Sequence, residues 1–170
     1  MVGDTVREFM EAEALPVFME HYEKGTFPAE LVRPLGAMGV FGATIEGYGC
    51  AGVNNVAYGL MMQELERGDS GLLSFASVQS ALVMYPIHAF GDEAQRERWL
   101  PQLASGDAIG CFGLTEPDFG SNPGGLITTA VEDGDAYVIN GAKMWITNGT
   151  VADVAVVWAK LNGVVTGFLV

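Results

Sequence analysis

The sequence predicts an α+β protein in two parts, a helical bundle over residues 1–108 and an antiparallel β-domain over residues 109–170. Three observations carry that reading. Apolar residues recur at helical spacing through the first hundred residues. Near Gly110 the pattern changes to short runs punctuated by Asp133-Gly134, Asn140-Gly141, Asn148-Gly149 and Asn162-Gly163. The chain of 170 residues is 49% hydrophobic and 17% charged, enough apolar material to bury a core and too much for a disordered segment.

Asp4 to Leu15 reads as an amphipathic helix with Val6, Phe9, Met10 and Ala14 on one face. A Thr5-x-x-Glu8 capping box is expected to open it, and Pro16 to bend or end it. Pro28 opens a second helix with Leu31, Val32, Leu35 and Met38 inward and Gly39 as its stop. Residues 39–52 form a glycine-punctuated loop, suited equally to a sharp turn or to close approach of a ligand. A third helix, residues 53–67, sets Val53, Val56, Ala57, Leu60, Met61 and Leu65 on one stripe and leaves Glu64 on a solvated face. The fourth, residues 70–85, is apolar nearly all round and is expected at the centre of the bundle. Asp92-x-x-Gln95 caps a last helix that turns Trp99, Leu100 and Leu103 inward and ends near Gly106.

Beyond Gly110 the runs 126–132, 135–139, 142–147, 153–161 and 164–170 have strand lengths. Asn-Gly and Asp-Gly between them favour type I′ hairpins, because both residues tolerate positive φ. The apolar stop at Phe168-Leu169-Val170 would leave a sheet edge unfinished, so the chain is expected to be part of a longer one.

Charge and composition narrow the function classes. A net charge of −13 repels a phosphate backbone, and no basic run offsets it, so nucleic acid is not an expected partner. A membrane is not expected either: Pro86 and His88 break the apolar region 81–90, and no uninterrupted run approaches the roughly 20 residues that span a bilayer. Cys50 and Cys111 lack metal-ligand spacing and are expected as buried thiols of a reducing compartment rather than a disulfide. His21 reads as solvated and His88 as structural, with no G-x-S-x-G nucleophile turn to pair with either. No metal centre and no dinucleotide-binding βαβ unit is expected.

What remains is the stretch 111–150, which carries two polar motifs, Leu114-Thr115-Glu116-Pro117 with Gly120-Ser121, and Met144-Trp145-Ile146-Thr147-Asn148-Gly149. Each ends a strand-like run with a hydroxyl and is followed at once by turn residues. Such strand ends suit the polar edge of a planar heteroaromatic ring, with Trp145 as a flat neighbour, although turn-forming threonines and a core tryptophan account for the residues about as well.

The motifs closely resemble those of the acyl-CoA dehydrogenase family of flavoenzymes, and within it the glutaryl-CoA dehydrogenase group. The likeness rests on Gly47-Tyr48-Gly49-Cys50-Ala51-Gly52, Glu64-Leu65-Glu66-Arg67, Ser77-Val78-Gln79-Ser80 and Trp99-Leu100-Pro101-Gln102-Leu103. Above all it rests on residues 110–117 (GCFGLTEP), Gly120-Ser121, and residues 143–148 (KMWITN). The resemblance implies a helical N-terminal domain, a β-barrel middle domain that is only partly present, and a second helical domain outside this chain. It implies FAD as cofactor, with Phe112, Gly113, Leu114, Thr115, Gly120 and Ser121 lining one side of the flavin and Trp145, Ile146 and Thr147 the other. Thr115 would lie near the pyrimidine edge, Thr147 near N5, and Ser121 against the thioester arm of the substrate. The implied reaction is α,β-dehydrogenation of an acyl-CoA, with a glutamate base beyond Val170 and no catalytic residue in this chain. Electron-transfer flavoprotein as acceptor, a homo-oligomer built as a dimer of dimers, and a bacterial cytoplasmic or mitochondrial matrix location are implied in the same way. The chain by itself is then expected to be inactive and to bind FAD weakly or not at all.

One position departs from the glutaryl-CoA pattern. Where that group carries an arginine for the distal carboxylate of its substrate, this sequence has Leu73, with Ser74 next to it at the acyl end and Glu66 left without its usual partner. An acyl-CoA without a terminal carboxylate is therefore expected, because an apolar wall against a carboxylate is costly. The alternatives are glutaryl-CoA dehydrogenase proper with Arg67 as the nearest substitute base, an acyl-CoA oxidase, or a non-catalytic acyl-CoA-binding module.

Overall fold

The computed structural model describes residues 2–170, which divide into two compact units, 2–109 and 110–170. The first is helical. Helices α1 (Val2–Phe9) and α2 (Leu15–Lys24) are joined through a π-helical turn at Met10–Ala14. α3 spans Val32–Ala37, α4 Asn55–Gly68, α5 Ser70–Ser77, α6 Tyr85–Phe90 and α7 Glu93–Ser105, with a second π-helical stretch, Val78–Met84, between α5 and α6.

Both π segments have the same neighbour: Pro16 and Pro86 stand two residues after them. A proline inside a helix lacks an N–H and clashes with the carbonyl four residues back. Widening the turn upstream moves that carbonyl aside. Leu15 N–H bonds back to Met10 O, and Tyr85 N–H to Ser80 O, both five residues away. The helices therefore continue where Pro16 was expected to bend or stop the first and residue 85 to end the fourth. Ser70–Phe90 becomes one 21-residue helical run, long and apolar enough by composition to cross a membrane, although half of its most apolar window is buried inside the unit.

The core follows the expected faces in most places. Val6, Phe9, Met10 and Ala14 are buried, as are Leu31, Val32, Leu35, Leu72, Phe75, Val83, Met84, Leu100 and Leu103. Met38 and Trp99 are only half-buried. Thr5 lies inside α1 rather than at its cap, because the helix has already begun at Val2. Asn54, Asp69 and Asp92 are the caps that form, each accepting a backbone N–H in the first turn, and Asp92 with Gln95 completes the expected capping box.

α4 is rotated from the expected stripe. Val56 and Leu60 are 73% and 47% exposed, while Glu64, expected on a wet face, is 4% exposed between Met61 and Leu65. Its burial has a cause: Arg7 and Arg67 both donate to its carboxylate. His21 likewise is not simply solvated, since its ring nitrogens contact Thr26 Oγ1 and Glu30 Oε1 at 2.8 and 2.9 Å. Gly47, Gly49 and Gly52 stand at the G-x-G-x-x-G spacing, but no strand precedes them and α4 starts only at Asn55, so they form no βαβ phosphate turn.

The second unit is a mixed sheet rather than an antiparallel one. Its strands are β1 (Gly110–Gly113), β2 (Thr129–Asp133), β3 (Ala136–Asn140), β4 (Val154–Leu161) and β5 (Val164–Leu169). β1 and β2 both run parallel to β4, while β2–β3 and β4–β5 are antiparallel hairpins. Asn162-Gly163, with φ of 51° and 81°, is the type I′ turn expected of it, and Gly134 at φ 65° starts the turn between β2 and β3. Asn140-Gly141 and Asn148-Gly149 make no hairpin. The run 142–147 between them is not a strand, because its backbone partners are single contacts to the segment after β1.

Candidate functional site

The second unit brings the two polar motifs together. β1 ends at Gly113, and the chain then makes a tight reversal in which Glu116 and Phe119 exchange backbone hydrogen bonds around Pro117-Asp118. The returning segment, after β3, lies alongside: Met144 N–H donates to Thr115 O at 2.9 Å. The two segments pack at ordinary contact distance, a Cβ on Gly113 standing 3.5 Å from Lys143 Cγ. Asn148 pins the far end of the second motif, donating from Nδ2 to Gly110 O at 3.1 Å.

Beneath this pair lies Glu116, 2% exposed. Its carboxylate accepts from Ile127 N–H at 2.6 Å, from Thr128 N–H at 2.9 Å, from the Thr128 hydroxyl, and from Lys143 Nζ at 2.9 Å. Lys143 Nζ also donates to Leu114 O at 3.1 Å. Burial raises the pKa of such a group, but the hydrogen bonds from Ile127, Thr128 and Lys143 overcome it and hold Glu116 at about 2. The carboxylate is therefore ionised at neutral pH.

What this scaffold presents is polar and unspent. No side-chain hydrogen bond joins Thr115 or Thr147 to any other described residue. Trp145 is 85% exposed and held at φ 60°, a left-handed conformation that is rare for a bulky side chain. Phe112 is half-buried and packs edge-on against Trp158 at 6.0 Å. Leu114 and Ile146 are half-buried, and Gly120 and Ser121 lie exposed beyond the reversal. The donor set of two hydroxyls, strand-end amides and a bare indole fits a flat ring with a polar edge.

The first unit holds the other expected residues. On α5, Leu72, Phe75 and Ala76 face the core, while Leu73 is half-buried and Ser74 exposed on the opposite side. Glu66 is exposed, and Arg67 is engaged by Glu64 at 2.8 Å and Glu11 at 2.9 Å. A groove of about 640 Å³ elsewhere in this unit, lined by Phe18, Met19, Tyr22, Phe27 and Leu72 among others, contains none of the expected site residues. Cys50 and Cys111 are free thiols; Cys111 is buried as expected, whereas Cys50 is half-buried, and burial pushes it up to about 11.

Glu116, Lys143 and Asn148 were legible only as letters of motifs. One signal was available: Lys143 is one of two basic residues after Gly110, set among acidic and apolar neighbours.

Comparison with known proteins agrees in both units. The model of the acyl-CoA dehydrogenase N-terminal domain matches residues 1–107, and that of the acyl-CoA dehydrogenase middle domain matches residues 111–170. The human mitochondrial short-chain specific acyl-CoA dehydrogenase is 39% identical over 163 residues, which cover 95% of this chain and 40% of that protein. A glutaryl-CoA dehydrogenase from Mycobacterium smegmatis, solved in complex with FADH2, is 54% identical with a TM-score of 0.97 over 99% of this chain and 44% of its own. The electron transferring flavoprotein of Acidaminococcus fermentans is 35% identical with a TM-score of 0.94 over 100% of this chain and 46% of its own. The chain thus spans less than half the length of these relatives. With both of its units matched, the chain belongs to the acyl-CoA dehydrogenase family.

Proposed function

We propose that this chain forms the N-terminal and part of the middle domain of an FAD-dependent acyl-CoA dehydrogenase that introduces an α,β double bond into an acyl-CoA thioester. The observation that carries the reading is the Met144–Thr115 contact, which sets two unengaged hydroxyls and the exposed Trp145 on adjacent segments, one following β1 and the other following β3. Thr115 and Thr147 would hold the polar edge of the flavin, with Phe112, Gly113, Leu114, Gly120 and Ser121 on one side and Trp145 and Ile146 on the other. FAD, when bound there, supplies the acceptor for the hydride that leaves the β-carbon. The residues of this chain bind and orient; none is assigned as the base that takes the α-proton.

Leu73 and Ser74 would line the acyl end, and Ser121 the thioester. Leu73 offers no partner to a distal carboxylate, and Arg67 is already held by two glutamates. A short monoacyl-CoA is therefore the substrate class favoured here. Glutaryl-CoA is the second reading, supported by the 54% identity to the Mycobacterium smegmatis enzyme. The flavoprotein among the neighbours supports an electron-transferring flavoprotein as acceptor. A homo-oligomeric assembly, and a bacterial cytoplasmic or mitochondrial location, belong to the same proposal, as does inactivity of residues 1–170 alone.

The test is FAD affinity of the full-length protein with Thr147→Val and Thr115→Val. Each should weaken binding by roughly two- to tenfold, the worth of one neutral hydrogen bond. Unchanged affinity in both variants would refute the two-hydroxyl grip.

A further inference from the structure

The scaffold under the two motifs is held by a single charge pair, and that pair lies off the surface that would meet a ligand. Glu116 is 2% exposed and Lys143 only half-buried, so neither is a free surface charge. Glu116 is fixed from behind by Ile127 and Thr128, whose own backbone is tied into the sheet through Lys160 N–H to Thr128 O at 2.8 Å. Space behind it is closed as well, since a Cβ on Gly141 would stand 2.2 Å from Thr128 Oγ1. Lys143 then bridges forward: one Nζ reaches both Glu116 Oε1 and Leu114 O, and the next residue, Met144, donates to Thr115 O.

We infer that Glu116 and Lys143 are positioning residues, a buried strut that fixes the spacing between the Thr115 and Trp145–Thr147 segments and so sets how the site grips its ring. The inference rests on the flavin reading proposed above for what the segments hold, but not for the strut itself. Two features point to positioning and not to fold stability alone. The run 142–147 has no strand pairing of its own, so the strut and the Met144–Thr115 bond are what hold it beside the first motif. Trp145 follows two residues later in a left-handed conformation that must be imposed by its flanks, Lys143–Met144 on one side and Asn148 on the other.

Lys143→Met in the full-length protein tests this with two readouts. Amide hydrogen exchange at Met144 should quicken about tenfold or more, the size of one lost charge-assisted hydrogen bond, with the β4–β5 ladder unchanged. FAD affinity should fall by a similar factor, and the flavin visible spectrum should shift in the fraction that stays bound. Unaltered exchange at Met144 would overturn the strut whatever the flavin does. Faster exchange with unaltered affinity and spectrum would leave the pair structural and overturn its positioning role. Failure of the wild-type protein to bind FAD at all would overturn the flavin reading and the positioning role with it, while the exchange result would still decide the strut. If Lys143→Met does not fold, Thr128→Val removes one donor to Glu116 and keeps the cation; it is read in the same way with about threefold effects.

Discussion

The Arg7 guanidinium grips Glu64 with two parallel hydrogen bonds, Nε to Oε2 at 3.0 Å and Nη2 to Oε1 at 2.6 Å, across 57 residues of sequence. Arg67 donates to the same carboxylate from the next turn of α4 and carries Glu11 on its other side. The cluster clasps α1 and the π turn to α4. Glu64→Gln should lower the melting temperature of the protein. In a double-mutant cycle with Arg7→Met, the double variant should lose less than the sum of the singles, because removing one partner strands the other. Additive losses would show that the pair is not coupled.

Acid should loosen both units through their buried carboxylates. Glu64 is held at about 2 by its hydrogen bonds to Arg7 and then Arg67, against its burial, and Glu116 is held at about 2 as well. Both folded values lie below the ordinary 4.5, so the stabilisation is complete above that pH and is lost as pH falls from 4.5 toward 2. Urea midpoints should therefore be flat with respect to these groups above the upper value and decline below it. Glu64→Gln should flatten part of that decline.

α3 and α7 meet at a glycine. A Cβ on Gly36 would stand 2.2 Å from Ser105 O, a backbone atom that cannot step aside as a side chain would. Gly36→Ala should destabilise by about 1–3 kcal/mol through overpacking, read as a lower urea midpoint at constant slope.

Legibility differed between the units for a physical reason. Helical periodicity located the buried faces of α1, α3 and α7, because one stripe of apolar residues is enough to choose the inward side. It failed at Glu64 and Val56 on α4, where a carboxylate became interior by recruiting arginines from elsewhere in the chain, and at Pro16 and Pro86, where a π turn absorbed the breaker. In the sheet, Asn162-Gly163 announced its hairpin, but the parallel pairing of β1 and β2 with β4 has no local signature, since the partners lie far apart in sequence. The same holds at the candidate site. Thr115 and Thr147 stood out as strand-end hydroxyls, while Glu116 and Lys143, 27 residues apart, acquire meaning only once folded together.

Under the proposed function, Leu73 is the residue that sets substrate choice. In the full-length protein, Leu73→Arg should raise kcat/KM for glutaryl-CoA relative to butyryl-CoA by about tenfold or more, as a cation for the distal carboxylate is restored. No change in the ratio would mean that the acyl end is read elsewhere.

The most direct test is the visible spectrum of the full-length protein, reconstituted with FAD, before and after anaerobic addition of butyryl-CoA. The flavin grip and the dehydrogenase reading together require a stoichiometric flavin band that is lost when the thioester is added. A protein that stays colourless with FAD, or a bound flavin band that butyryl-CoA and glutaryl-CoA both leave unchanged, would contradict them.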